Sequence, residues 1–334
     1  MRWAPRLLRS VAKVPPVLFT RKKPNPIAID DYRIKPPYQA KPVKPNDLEV
    51  APDFVDIDCL DRFTEQAIKW LERQAAAARN GKPFMLYLSH TSPHKPVIPL
   101  KRFRGQGDAG AYGEFMIETD WHVGRVLDWL DENKLADNTI VVFTSDNGPE
   151  NTWRKRNEKF GHQSNGIYRE GKRSIYEGGH RVPFLVRWPA KVKAGSRWEQ
   201  PVCQTDLLAT FAEMLGKNLP DNAGEDSVSF YRALTGENAP QRLAMIHHGM
   251  QGRYAIREGQ WKLIMEGGRR AAKRELYDLS ADPGEKNDLI AKHPKVAKRL
   301  AKRITEIIQN GRTTPGQPQP NDTPPWKDLV WMVD

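Results

Sequence analysis

Cysteine is scarce in this chain of 334 residues: only Cys59 and Cys203 occur. Two cysteines exclude a disulfide framework or a cysteine-rich zinc site. Long apolar runs are also missing, so no stretch reads as a membrane span. Arg2, Arg6 and Arg9 lie near the start, but Lys13, Pro15 and Pro16 interrupt the apolar core that a signal peptide needs. Acidic side chains are outnumbered, 41 Asp and Glu against 53 Lys and Arg, for a net charge of +12. No RNA- or DNA-binding signature accompanies that charge. The excess therefore points to an anionic substrate, or to a solvated basic surface at the terminal clusters. Compartment and oligomeric state are not legible.

What is present centres on Thr139–Glu150, TIVVFTSDNGPE. Ile140 to Phe143 form a continuous, β-branched apolar run, which predicts a strand buried on both faces in a parallel sheet. It ends in Ser145-Asp146-Asn147-Gly148-Pro149. Polar residues at a strand's carboxyl end are where open α/β folds collect ligands. The oxygens of Asp146 and Asn147 suit a hard cation such as Ca²⁺ or Mg²⁺. The same residues also favour a plain turn, and the segment alone leaves both readings open.

Around it the chain divides into three. Residues 1–52 are rich in Pro and Lys and read as an extended arm in which Asp30-Asp31 is a loop. Residues 53–239 read as an α/β core, and 240–334 as a C-terminal subdomain with a Pro-rich tail that includes Trp326 and Trp331. In the core, Leu60–Arg79 has helical spacing and stops at Asn80-Gly81. Phe84–Leu88 predicts a second short buried strand, ending in Ser89-His90-Thr91-Ser92-Pro93-His94-Lys95-Pro96. Two histidines past a strand end are candidates for chemistry near neutral pH. Prolines on both sides stiffen His94, whereas His90 by itself reads as a surface loop residue. Tyr112–Asn133 is the clearest helix, with Phe115, Ile117, Val123, Val126, Leu127 and Leu130 on its apolar face and Glu114 and Glu118 on the polar one.

Residues 151–168 lack periodicity and read as a long loop, functional or mobile. The loop runs into GKRSIYEGGHRVP, whose glycines allow close backbone approach and whose cations suit an anion. Phe184–Arg187 predicts a further strand, and Asp206–Gly216 a short helix. Short strands at 254–257, 261–264 and 275–279 predict an antiparallel sheet, followed by a basic helix over Val296–Gln309. The expected fold class is α/β: a mostly parallel central sheet flanked by helices, with a small C-terminal antiparallel-sheet subdomain.

Several of these segments, in this order, resemble a known family. KPFMLYLSHTSPHKP, TIVVFTSDNGPE, GKRSIYEGGHRVPFLVRWP, QTDLLATFAEMLG, WKLI and ELYDLSADPGEKNDL are similar to the type I sulfatases of the alkaline-phosphatase superfamily. The resemblance covers roughly residues 55 to 290. It implies sulfate-ester hydrolysis of sulfated small molecules or glycans, with calcium and a formylglycine nucleophile as cofactors. Asp146 and Asn147 match calcium ligands, His94 matches the histidine on the leaving-group side, and Lys172 matches the lysine on a sulfate oxygen. Glu177, Gly178, Gly179 and Arg181 match a signature that shapes the loop.

The family's nucleophile motif, Cys/Ser-x-Pro-x-Arg, occurs nowhere in the chain, and its paired aspartates are also missing. The expected consequence is an incomplete calcium shell and no turnover by this chain alone. A longer product carrying the motif is expected to be active. Two other readings stand beside this one: a non-catalytic sulfate- or glycan-binding pseudoenzyme, and a phosphonate or phosphodiester hydrolase of the same superfamily.

Overall fold

The computed structural model describes residues 55–267, 272–320 and 329–332, together with the backbone of short strands at 17–20, 41–42 and 49–50. The chain divides into two compact units, 1–135 and 136–334.

In the first unit, strands β1 (Val17–Thr20), β2 (Lys41–Pro42) and β3 (Glu49–Val50) pair antiparallel in the order β2-β1-β3. The expected arm thus contains paired strands; the rest of it, Asp30-Asp31 included, lies outside the described residues. Helix α1 (Cys59–Arg79) buries Leu60, Thr64, Ala67, Leu71 and Ala75, the stripe its spacing predicts. Helix α2 (Gly110–Glu132) meets it through Ala111 and Phe115, which cluster with Leu60 and Val97.

The α2 face differs from expectation. Glu114, Glu118 and His122 are buried, while Ile117 is partly exposed. The two glutamates are turned inward because they accept hydrogen bonds from loop amides, Gly105 N to Glu114 at 2.7 Å and Leu100 N to Glu118 at 2.8 Å. Buried backbone donors need acceptors, and these carboxylates supply them.

Phe84–Leu88 forms no β-ladder among the described residues, contrary to the sequence-based expectation. Its exposure alternates, with Met85 and Tyr87 in solvent. Phe84 packs edge-on to Trp70 at 5.8 Å. One face is therefore covered, but a strand also needs a neighbouring ladder.

His90 is not a simple surface residue. Its ring lies 6.3 Å from that of the fully buried His122, and neither nitrogen of His90 has a hydrogen-bond partner among the described residues. Burial, reinforced by His122, lowers its pKa to about 4 from 6.5. A base that resists protonation in the folded state makes stability fall as pH drops from about 6.5 towards 4, because the unfolded chain takes up the proton first. After discounting for solvent screening, the loss is expected to be about 1–2 kcal/mol. Urea unfolding at pH 7 and pH 4.5 should show it, and His90→Gln should flatten the difference. An unchanged pH slope in the variant would rule this origin out.

In the second unit, β4 (Val141–Thr144) is followed by α3 (Trp153–Phe160), α4 (Glu177–His180) and β5 (Phe184–Arg187). Helix α3 corrects the expected loop: Gly161, at φ 67°, ends a helix that the polar sequence WRKRNEKF disguises. Helices α5 (Asp206–Met214) and α6 (Tyr231–Thr235) come next. Then follow β6 (Met245–Gly249), β7 (Arg253–Glu258), β8 (Trp261–Ile264) and β9 (Glu275–Asp278), one antiparallel four-stranded sheet in sequential order. Helix α7 (Pro294–Asn310) lays Ala297, Leu300, Ile304 and Ile307 on Ile256, Leu263 and Leu276 of that sheet. Trp331 also packs there, 5.7 Å from Tyr254, whereas Trp326 lies outside the described residues.

The fold is mixed α/β with a C-terminal antiparallel sheet, as the sequence predicts. The pairing of the two central strands is not the expected one. β4 and β5 run antiparallel, from Val141 opposite Arg187 to Thr144 opposite Phe184. That register has a functional consequence. It sets the end of β4 beside the start of β5, so residues after 144 and before 184 emerge at one edge.

Candidate functional site

At that edge two loops are stitched together through backbone. Gly148 N donates to Gly179 O at 2.9 Å, and Lys172 N donates to Pro149 O at 2.8 Å. Gly178 N donates to Arg169 O at 2.9 Å, and the Arg173 guanidinium pairs with Glu150 at 2.7 Å. The approach is close enough that a Cβ at Gly148 would overlap the carbonyl of Gly178. Glycine at 148 is thus required by contact, not by its own torsion angles. Glu170 and Arg173 hold φ of 63° and 78°, the left-handed region, on either side of Gly171-Lys172. Each costs about 1 kcal/mol or more, a strain that non-glycine residues sustain where surrounding contacts over-determine the backbone.

The predicted site residues fall as follows. Asp146 is exposed and has no hydrogen bond or ion pair among the described residues. Asn147 turns its amide nitrogen to Gly148 O at 3.0 Å, which leaves its side-chain oxygen available. Gln204 Nε2 donates to Ser145 O at 2.5 Å and braces the same turn. Lys172 is half-buried and has no ion pair among the described residues. These three belong to the stitched pair of loops. His94 belongs to the first unit and is exposed. Its Nδ1 lies 2.9 Å from Lys95 O, so that nitrogen carries the proton and Nε2 is the one left to exchange protons.

The side chains of Asp146 and Asn147 offer only oxygen donors, a chemistry that suits a hard cation. Two such side chains fall short of the about six to eight oxygens that calcium takes. A different donor set lies behind the loop, where Glu177, His180 and His247 bring one ligand atom each within 4.8 Å of one another. The rings of His180 and His247 stack at 4.0 Å. Burial lowers the pKa of both, for His180 against the opposing hydrogen bond of Glu177, so both imidazoles are neutral.

A cation is already there, however. The fully buried Lys262 Nζ sits 2.9 Å from Glu177 Oε1, 2.9 Å from Glu285 Oε1 and 3.5 Å from His180 Nε2. An ammonium between these two carboxylates does the neutralising that a metal would do, and it would repel one. Burial alone would raise the pKa of Glu177, but the His180 hydrogen bond and Lys262 outweigh it and hold the carboxyl well below its usual range. Glu285 is pushed the other way, by burial first, although Lys262 opposes the shift. Glu285 also accepts Glu177 N at 2.6 Å, which anchors the start of α4. Sequence reasoning missed this cluster. Its signal was a lysine among apolar neighbours in Trp261-Lys262-Leu263-Ile264.

On this α/β scaffold the exposed Asp146, the half-buried Asn147 and the half-buried Lys172 thus lie on two loops joined through backbone. Comparison with known proteins identifies the family. The sulfatase family model matches residues 28–217, and that of the N-sulphoglucosamine sulphohydrolase C-terminal region matches 166–310. The chain belongs to the sulfatase family, type I, of the alkaline-phosphatase superfamily.

An N-acetylgalactosamine-6-O-sulfatase of Bacteroides thetaiotaomicron is 35% identical over 268 residues, 75% of this chain and 51% of that protein. Human steryl-sulfatase is 34% identical over 177 residues, 53% of this chain and 30% of that one. Among solved structures, one from work on glycosaminoglycan metabolism by Bacteroides thetaiotaomicron aligns with a TM-score of 0.68 at 34% identity, covering 75% of this chain and 55% of that one. Ps i-CgsB in complex with k-i-k-neocarrahexaose aligns with a TM-score of 0.64 at 26% identity, covering 78% and 57%. The chain spans about half the length of the curated relative with the 35% match. No helix among the described residues is long and apolar enough to cross a membrane.

Proposed function

We propose that this chain carries the sulfate-recognition part of a sulfate-ester hydrolase acting on a sulfated sugar or small molecule. The observation that carries the reading is the backbone junction of the two loops, Gly148 to Gly179 and Lys172 to Pro149. It ties the oxygen donors Asp146 and Asn147 to the loop of Lys172, which has no ion pair among the described residues. In this reading Lys172 binds a sulfate oxygen and Asp146 and Asn147 are calcium ligands. Calcium, when bound, would draw charge from the sulfuryl oxygens. His94, with Nδ1 committed to Lys95 O, matches by resemblance the family histidine on the leaving-group side, a role in which Nε2 would act as the proton donor.

Cys/Ser-x-Pro-x-Arg is absent from the 334 residues, so the chain by itself offers no formylglycine to attack sulfur. We therefore expect anion binding without turnover of a chromogenic aryl sulfate, with or without added Ca²⁺. Titration calorimetry with inorganic sulfate tests the binding half. Lys172→Ala is expected to weaken sulfate binding about tenfold or more, the loss of one charge-assisted contact. Asp146→Ala should abolish any calcium-dependent gain. Equal sulfate affinity in wild type and Lys172→Ala would reject this assignment. Robust turnover by the chain, lost in Lys172→Ala, would reject the inactive reading.

A further inference from the structure

Beside the loop that carries Lys172 lies an open cleft of about 510 Å³ between α3 and the turn before α7, with no role so far. Its walls combine apolar surface, positive charge and the carboxylates of Glu170 and Glu285, the first paired with Arg154 and the second with Lys262. Trp153, Ile167 and Tyr168 supply aromatic and aliphatic surface, and Ile167 is 64% exposed. Arg154 and Lys286 supply positive charge. The Arg154 guanidinium lies 4.8 Å from the Trp153 ring centroid and pairs with Glu170. The Lys286 ammonium is exposed and has no ion pair among the described residues. Gly284 closes the far wall, where its backbone comes up against the Ile167 carbonyl.

The cleft and Lys172 share a backbone. Glu170 lines the cleft, and Gly171 packs so near the indole of Trp153 that a Cβ there would stand 2.9 Å from Nε1. We infer that this cleft is a second subsite that takes an anionic pyranose ring, a sulfated or uronic sugar linked to the one whose sulfate Lys172 holds. A pyranose presents a C–H face to an aromatic and aliphatic floor and directs its charged substituents outward, towards Arg154 and Lys286. The volume falls in the range of about 300–1,000 Å³ usual for small-ligand sites. The net charge of +12 favours the same class of ligand. The inference rests on Lys172 as the sulfate contact, and the experiment separates the two.

The probes are inorganic sulfate and a chondroitin 6-sulfate tetrasaccharide, titrated into the full chain by calorimetry at low salt. Ile167→Ala and Lys286→Glu both alter exposed side chains, so the fold is retained. Wild type should bind the tetrasaccharide at least about tenfold tighter than sulfate, and the double variant should lose most of that gain with sulfate affinity unchanged. In an NMR titration, the Trp153 indole signal should shift with the tetrasaccharide and not with sulfate. A wild type that binds the tetrasaccharide no better than sulfate would overturn the subsite, as would variants that bind it equally well. If Lys172→Ala leaves sulfate binding intact while tetrasaccharide binding still depends on Ile167 and Lys286, the subsite stands and the Lys172 assignment falls.

Discussion

Lys262→Met is expected to lower the unfolding free energy by about 3–5 kcal/mol, the usual consequence of removing one partner from a buried ion cluster. The ammonium is fully buried and is the shared partner of Glu177 and Glu285, each 2.9 Å away and each at most 2% exposed. Methionine fills similar volume, so the loss is electrostatic: Glu285 loses its ammonium partner, and Glu177 keeps, among the described residues, only the more distant Arg181 at 3.6 Å and Arg257 at 3.8 Å. The pH dependence identifies the cause. In wild type, Glu177 has a depressed pKa, so its contribution is present above the ordinary carboxylate pKa and is lost on acidification. In the variant both carboxyls would titrate higher than in wild type, Glu285 most of all, so less stability is lost as pH falls and the deficit narrows. Urea unfolding at pH 7 and pH 4.5 measures both effects. Glu177→Gln added to Lys262→Met should recover part of the loss, since it removes one of the stranded charges. A deficit below about 1 kcal/mol at pH 7 would mean that water reaches the cluster.

Gly148→Ala is expected to be nearly as damaging, at about 3 kcal/mol or more, although it adds a single methyl group. The new Cβ would overlap Gly178 O, with the carbonyl carbons of Gly178 and Gly179 close behind. None of these can rotate away as a side-chain tip could. Gly178 has no room to retreat either, because it already lies against the carbonyls of Arg169 and Glu170. The loops must separate, breaking Gly148 N to Gly179 O and Lys172 N to Pro149 O. Sulfate binding should therefore fall together with stability. At Gly161, an alanine meets no atom within 4 Å and only the φ of 67° opposes it, so it is expected to cost about 1 kcal/mol and spare sulfate binding. Thermal unfolding and sulfate titration of both variants provide the comparison. A Gly148→Ala chain as stable as wild type would show that the loops are not locked.

Much of this was legible in the sequence. Apolar spacing placed α1 and α2 within a residue or two, and short alternating strands between glycine turns marked the C-terminal sheet. These are local properties, since a helical stripe or a strand–turn–strand pattern is written in residues close along the chain. Polar residues after a β-branched run marked Asp146 and Asn147, and the ordered segments around them carried the family resemblance.

Only the tertiary structure decided strand direction and charge partners. Val141–Thr144 and Phe184–Arg187 look the same from composition whether they run parallel or antiparallel. Their antiparallel register arises from long-range pairing, and it is what carries residues 145–150 and 169–179 to one edge. Glu114 and Glu118 sit at positions that any surface helix would give to glutamate, and they turn inward for amides that come from a separate loop. Lys262 finds Glu177 85 residues away, a pairing that no local pattern encodes. The sequence by itself determined which elements form and which side chains have chemistry to offer, because propensity and periodicity act over a few residues. Which of those side chains meet was left to the packing, because burying charge is tolerated only where distant partners converge to neutralise it.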